Sequence, residues 1–144
     1  MNQPSILKSP AYRFQLTYPR YISATWFSAS QLANLSPVPL GAVELRDTEN
    51  TLSDIAPPML TVQIYSNTGH LALAQWLDTS PRLQPASNWT IKQIRVSTYD
   101  GLLAESHQYL SPGQYIFVAK YDLIYQFVVA GDIAQSILDS LQLN

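Results

Sequence analysis

Tyr115-Ile-Phe-Val-Ala-Lys-Tyr-Asp-Leu-Ile-Tyr-Gln-Phe-Val-Val-Ala-Gly131, followed directly by Asp132-Ile-Ala-Gln-Ser-Ile-Leu-Asp-Ser-Leu-Gln-Leu-Asn144, decides the fold class. The first part holds two runs rich in Tyr, Phe, Val and Ile, whose branched or planar side chains fit a pleated surface. Between them, Lys120-Tyr121-Asp122-Leu123 is a polar interruption of hairpin length. The second part opens on Asp132, a residue able to cap a helix, and spaces Ile133, Ile137, Leu138 and Leu141 for one buried helical face. Two strands and a capped amphipathic helix are expected.

Working back from that segment, Trp89 to Thr98 reads as a strand with Ile94 and Val96 inward. Tyr99-Asp100-Gly101 is a turn signal, and Leu102 to Leu110 is the next strand. Ser66-Asn67-Thr68-Gly69 offers capping side chains to a helix over about His70 to Leu77, where Leu73, Trp76 and Leu77 form one stripe and Trp76 reads as a core anchor. Met59 to Tyr65 alternates with Leu60, Val62 and Ile64 on one face, and Ala42 to Arg46 is a short strand. Asp47 to Pro58 holds local acid (Asp47, Glu49, Asp54) and reads as a long exposed connection. Ser28 to Pro39, with Pro37 and Pro39, reads as a loop.

Tyr12 to Tyr18 alternates cleanly: Tyr12, Phe14, Leu16 and Tyr18 face one way, and Arg13, Gln15 and Thr17 the other. Residues 1–11 show no periodicity and are read as a loose leader to a single domain at 12–144. Helices are few and strands sequential, with connections too short for many parallel crossovers. The fold class is therefore α+β with a largely antiparallel sheet.

Composition narrows the function classes. The 144 residues suffice for one domain core, and 47 % of them are apolar. Eight Lys and Arg against ten Asp and Glu leave a formal charge of −2, with the cations scattered along the chain. No electropositive footprint is built, so nucleic acid is not an expected partner. The chain has no cysteine, which removes disulfides, thiolate catalysis and cysteine-ligated metals. With five glycines and no Gly-x-Ser-x-Gly elbow, neither a serine hydrolase nor a phosphate-cradling loop is expected, and no cofactor is assigned. No run approaches the roughly 18 to 20 apolar residues of a membrane span, and Met1 to Pro10 lacks the apolar region of a signal peptide.

Two groups of side chains stand out. Glu105, His107 and Tyr109 fall at i, i+2 and i+4 of an expected strand and project from one face. Glu105 and His107 are candidates for a divalent-metal or small-ligand site; the alternative is a polar sheet face opposite Leu102, Ala104 and Ser106. Arg20, Tyr21, Trp26 and Phe27 belong to an aromatic stretch that also holds Tyr18. Tyr, Trp and Arg dominate interface hot spots, which makes these four candidates for partner binding. The alternative is that Trp26 and Phe27 fold back over one edge of the core.

The order of elements carries a resemblance. A strand ending in Tyr-Pro (Phe14-Gln-Leu-Thr-Tyr18-Pro19) is followed by a helix ending in Trp-Leu (Leu73-Ala-Gln-Trp76-Leu77). A strand-turn-strand around Gly101-Leu-Leu-Ala104 comes next, then an aromatic hairpin with Ile124-Tyr125, and a closing Ile137-Leu-Asp-Ser-Leu-Gln-Leu143. In this order the chain resembles the PsbP-like family, domains related to the extrinsic oxygen-evolving-complex subunit of photosystem II, over about Tyr12 to Leu143. The resemblance implies an α/β/α sandwich around an antiparallel sheet of about six to seven strands. It implies a non-enzymatic protein-binding or assembly factor, with a photosynthetic membrane complex as partner in cyanobacteria or chloroplasts. It also implies an extracytoplasmic location, thylakoid lumen or periplasm, if a targeting segment has been removed; the chain is cytoplasmic if Met1 is the native start.

Overall fold

The aromatic hairpin of the opening stretch lies near the centre of the molecule, in a computed structural model that describes residues 3–35, 37–47, 58–79, 89–106, 114–130 and 132–144. The described elements are β1 (Ser5–Ser9), β2 (Phe14–Tyr18), β3 (Ile22–Ser28), a 3-10 turn (Ala29–Leu32), β4 (Gly41–Asp47), β5 (Leu60–Ser66) and α1 (Leu73–Asp78). They continue with β6 (Trp89–Val96), β7 (Tyr99–Ser106), β8 (Gln114–Lys120), β9 (Leu123–Val129), α2 (Asp132–Leu138) and β10 (Gln142–Leu143). Seven strands form one sheet in the order β3-β4-β5-β9-β8-β7-β6, and three form a second in the order β1-β2-β10. Every pairing is antiparallel, so the fold is mostly antiparallel β.

The period of two along each strand sorts side chains between the faces of the large sheet. On one face Val43, Leu45, Leu60, Val62, Ile64, Ile116, Val118, Tyr125 and Phe127 pack against Leu7, Phe14 and Leu16 of the small sheet. Ala134, Ile137, Leu138 and Leu141 from α2 and the turn after it complete that core. On the other face Tyr65, Ala104, Phe117 and Ile124 receive α1 through Leu73, Trp76 and Leu77. The Trp76 ring lies 5.4 Å from that of Tyr65 and 6.2 Å from that of Phe117, as a core anchor does. β9 is covered on both faces, which explains why Leu123 to Val129 reads as a nearly continuous apolar run. Its one amide, Gln126, is buried and satisfied: Nε2 donates to Gln63 Oε1 at 3.0 Å, and the Tyr65 hydroxyl donates to the same oxygen at 2.8 Å.

Four local expectations are corrected. Residues 5–9, read as part of a loose leader, form β1 and pair with β2 from Ser5↔Tyr18 to Ser9↔Phe14. Leu7 is the one apolar residue of β1 that turns into the core, beside the buried Ser9, while Ile6 is exposed, which is too short a pattern to register as periodicity. The turn between β6 and β7 is Ser97-Thr98, two residues ahead of the glycine signal, with Ser97 at φ 56°. Tyr121-Asp122 closes β8 and β9 in the same manner, with Tyr121 at φ 60°. α1 begins at Leu73, since His70 takes φ 50°, outside the helical region, and Asn67 holds the turn before it: its Oδ1 accepts the Leu71 N–H and its Nδ2 donates to the Leu71 carbonyl, both at 3.0 Å. Finally, α2 stops at Leu138, and Gln142 and Leu143 leave the helical path to pair with Gln15 and Phe14.

Candidate functional site

Tyr18 ends β2, and Pro19, which lacks an N–H, cannot extend the ladder. The Pro19 carbonyl instead accepts the Ile22 N–H at 3.1 Å, closing a tight turn that presents Arg20 to solvent. Across from this turn lies α2. Ser140 fixes the distance between the two walls: its Oγ accepts the Thr17 N–H at 2.8 Å and donates to the Ile137 carbonyl. Between the walls is an open groove of about 690 Å³ lined by Pro4, Thr17, Tyr18, Pro19, Arg20, Tyr21, Ser136, Ile137 and Ser140. Rings and prolines form its apolar part, and among the described residues Arg20 is its single charged lining residue. Such a surface fits an extended segment that brings a carboxylate to Arg20 and apolar side chains to the ring wall.

Trp26 and Phe27 sit toward the other end of β3 from Arg20 and Tyr21, and the structure separates them by face. Trp26 points toward the small sheet, with its ring 6.4 Å from Tyr12 and 6.1 Å from Phe14, yet it keeps 40 % of its surface exposed. Phe27, one residue on, takes the opposite face and is half-buried. The four partner-binding candidates therefore form two places, one in the groove and one at the sheet edge. The contribution of Pro4, Ser136 and Ser140 to the groove had no signal in the sequence, because serines on the polar side of a helix read as solvated surface.

Beneath Trp26 a chain of rings continues inward, Phe14 lying 5.9 Å from Tyr125 in an edge-on contact. The buried Tyr125 hydroxyl donates to the Tyr12 carbonyl. Burial first, and then the neighbouring Tyr121, push its pKa up to about 12, with Arg13 acting in the opposite direction. The native state holds this proton to about pH 12, whereas the unfolded chain releases it near 10. Stability from this group is therefore complete below pH 10 and falls as the pH rises toward 12. Unfolding midpoints in urea at a series of alkaline pH values are expected to show a decline of about 2 kcal/mol that Tyr125→Phe removes. Equal slopes for the two proteins would contradict it.

Glu105 lies in β7 on the same face as Leu103, opposite Leu102 and Ala104, and forms an ion pair with Lys92 at 3.4 Å. His107 and Tyr109 lie outside the described residues. Among the described residues no three His, Cys, Asp or Glu side chains converge. A second hollow, of about 460 Å³, is lined by Leu73, Gln93, Asp100 and Leu102 among others. Asp100 there is engaged by Arg95 at 2.7 Å.

No helix among the described residues is long and apolar enough to cross a membrane. No protein-family model, curated protein or solved structure matches this chain.

Proposed function

We propose that the chain is a non-enzymatic protein-binding or assembly domain of PsbP-like type that holds its partner in the groove between the Pro19–Ile22 turn and α2. Support for the finer fold comes from the layering, with α1 on one face of a seven-stranded antiparallel sheet and α2 on the other. The observation that carries the functional reading is the groove itself: tyrosines and prolines line it, and among the described residues its one charge is the Arg20 guanidinium, with no lining carboxylate to neutralise it. The partner's docking segment is extended, acidic and apolar in part, and on this reading belongs to a photosynthetic membrane complex met on the luminal or periplasmic side.

The test is retention of detergent-solubilised thylakoid complexes on the immobilised chain. Arg20→Glu changes an exposed side chain and leaves the fold intact, so its expected effect is confined to binding. Retention of the bound complex should weaken by about tenfold or more, since central Arg and Tyr anchors carry most of an interface's free energy. Tyr21→Ala is expected to weaken it comparably. A retained complex whose affinity is untouched by Arg20→Glu would reject the groove as the docking site.

A further inference from the structure

We propose that β3, one edge of the seven-stranded sheet, pairs antiparallel with β3 of a second copy of this chain, with Thr25 on the twofold axis. In an antiparallel ladder, successive residues point their N–H and C=O groups alternately toward a given neighbour and away from it. The Ile22 N–H goes to the Pro19 carbonyl at 3.1 Å, and the Ser28 N–H goes to Gln31 Oε1 at 2.8 Å. Neither reaches β4. Ile22, Ala24, Trp26 and Ser28 are thus the residues whose backbone groups face outward, and the two terminal N–H groups are already engaged. Open between them, among the described residues, are the N–H and C=O of Ala24 and Trp26.

That short template selects its own register. With Thr25 opposite the partner's Thr25, Ala24 exchanges two hydrogen bonds with the partner's Trp26, and the symmetric pair exchanges two more. All four open N–H groups of the pair are then used. Moving the axis to Ala24 or Trp26 leaves an open group facing a residue whose N–H is already engaged, and an axis at Trp26 sets indole against indole. Side chains agree with the Thr25 register, because it places large residues opposite small ones at each position off the axis: Trp26 against Ala24, Phe27 against Ser23, and Ile22 against Ser28. Ser23, Thr25 and Trp26 are exposed, and no described strand lies on the outer side of β3.

Charge favours this edge over the other one. Residues 22–28 carry no ionisable side chain, so no like charges meet when two copies of a net −2 chain approach along it. The opposite edge, β6, carries Lys92 and Arg95, the kind of charged edge that discourages strand addition. A natural edge this long and this neutral is a template for another strand unless it is covered. The symmetric register makes the second strand a copy of itself.

Sedimentation equilibrium of the intact chain from about 1 to about 500 µM is expected to show a weak dimer of twice the 16.1 kDa chain mass, as fits a small interface. Thr25→Lys sets two ammonium groups face to face and should raise the dissociation constant about tenfold or more without affecting the monomer. Thr25→Cys gives the sharper test, since the chain has no other cysteine. Thr25 is at a non-hydrogen-bonded pair position, where Cα atoms lie about 4.5 Å apart, within reach of a disulfide. Mild oxidation should link two copies of that variant. Ser23→Cys, whose equivalent positions lie about 13 Å apart in this register, should stay unlinked. A chain that remains monomeric across the range, or two cysteine variants that link equally, overturns the proposal. So does a monomer in which only a foreign extended peptide slows exchange of the Ala24 and Trp26 amides.

Discussion

Phe14→Ala is expected to lower the free energy of unfolding by about 3–5 kcal/mol, a third or more of what a domain of this size possesses. Phe14 has no exposed surface and stands where three parts of the structure meet. It holds the Trp26 ring on one side and the Tyr125 ring on the other, and its backbone lies between Ser9 of β1 and Leu143 of β10. Truncation opens a cavity that none of these can fill without leaving its own partner, so relaxation recovers little. Urea unfolding followed by far-UV circular dichroism checks the value, with Phe14→Leu as the milder comparison at less than about 1.5 kcal/mol. A loss under about 1 kcal/mol for the alanine variant would mean that the small sheet is not packed as described. Because Trp26 rests on Phe14, the same variant should also shift the indole emission toward longer wavelength in the native state.

Gly101→Ala is expected to cost about 1–3 kcal/mol and lower the melting temperature by about 5–10 °C, a large effect for a single methyl group. Gly101 lies inside β7, between Ile94 of β6 and Val118 of β8. A Cβ there would stand 2.7 Å from the Phe117 carbonyl oxygen, with Val118 and Val96 methyl groups at 3.3 and 3.4 Å. The obstruction is backbone, so relief requires the β7–β8 ladder to part, and no rotamer change substitutes for that. Differential scanning calorimetry measures the effect directly. The contrast is Gly69, where an added Cβ meets nothing within 4 Å; a Gly101→Ala protein as stable as a Gly69→Ala protein would contradict the close approach.

The large sheet was legible where one face is buried and the other is not. Leu60, Val62 and Ile64 announce β5 by alternation alone, and all three are fully buried. Legibility failed where the decisive partner was remote or the signal ambiguous. β1 has a single apolar side chain, Leu7, committed to the core, and its other buried residue is Ser9, so nothing local distinguishes it from a leader. Gly101 reads as a turn residue because glycine serves both for backbone conformation and for close packing, and sequence does not say which. Leu141 continues the helical stripe of Ile137 and Leu138, which concealed that the next two residues rejoin β2. The groove followed the same rule. Its Tyr18–Tyr21 wall is written in consecutive aromatic and basic residues, whereas the Ser136–Ser140 wall becomes visible only when α2 is placed against β2.

The three-stranded sheet also sets an order of events when the chain folds. The β6–β7 and β8–β9 hairpins each close over two residues, and so pay little entropy before their contacts form. β2 depends on residues far along the chain: the Tyr125 hydroxyl reaches Tyr12 across 113 positions, and Thr17 reaches Ser140 across 123. Contacts of that span come after the hairpins have brought the distant segments together. β2 is then expected to dock onto a sheet already assembled, with its long-range interactions largely absent from the transition state. The Phe14→Ala loss should accordingly appear in the unfolding arm of the chevron, with the refolding rate nearly unchanged. The strand between the chain's first and last described strands thus governs how long the native molecule survives more than how fast it is reached.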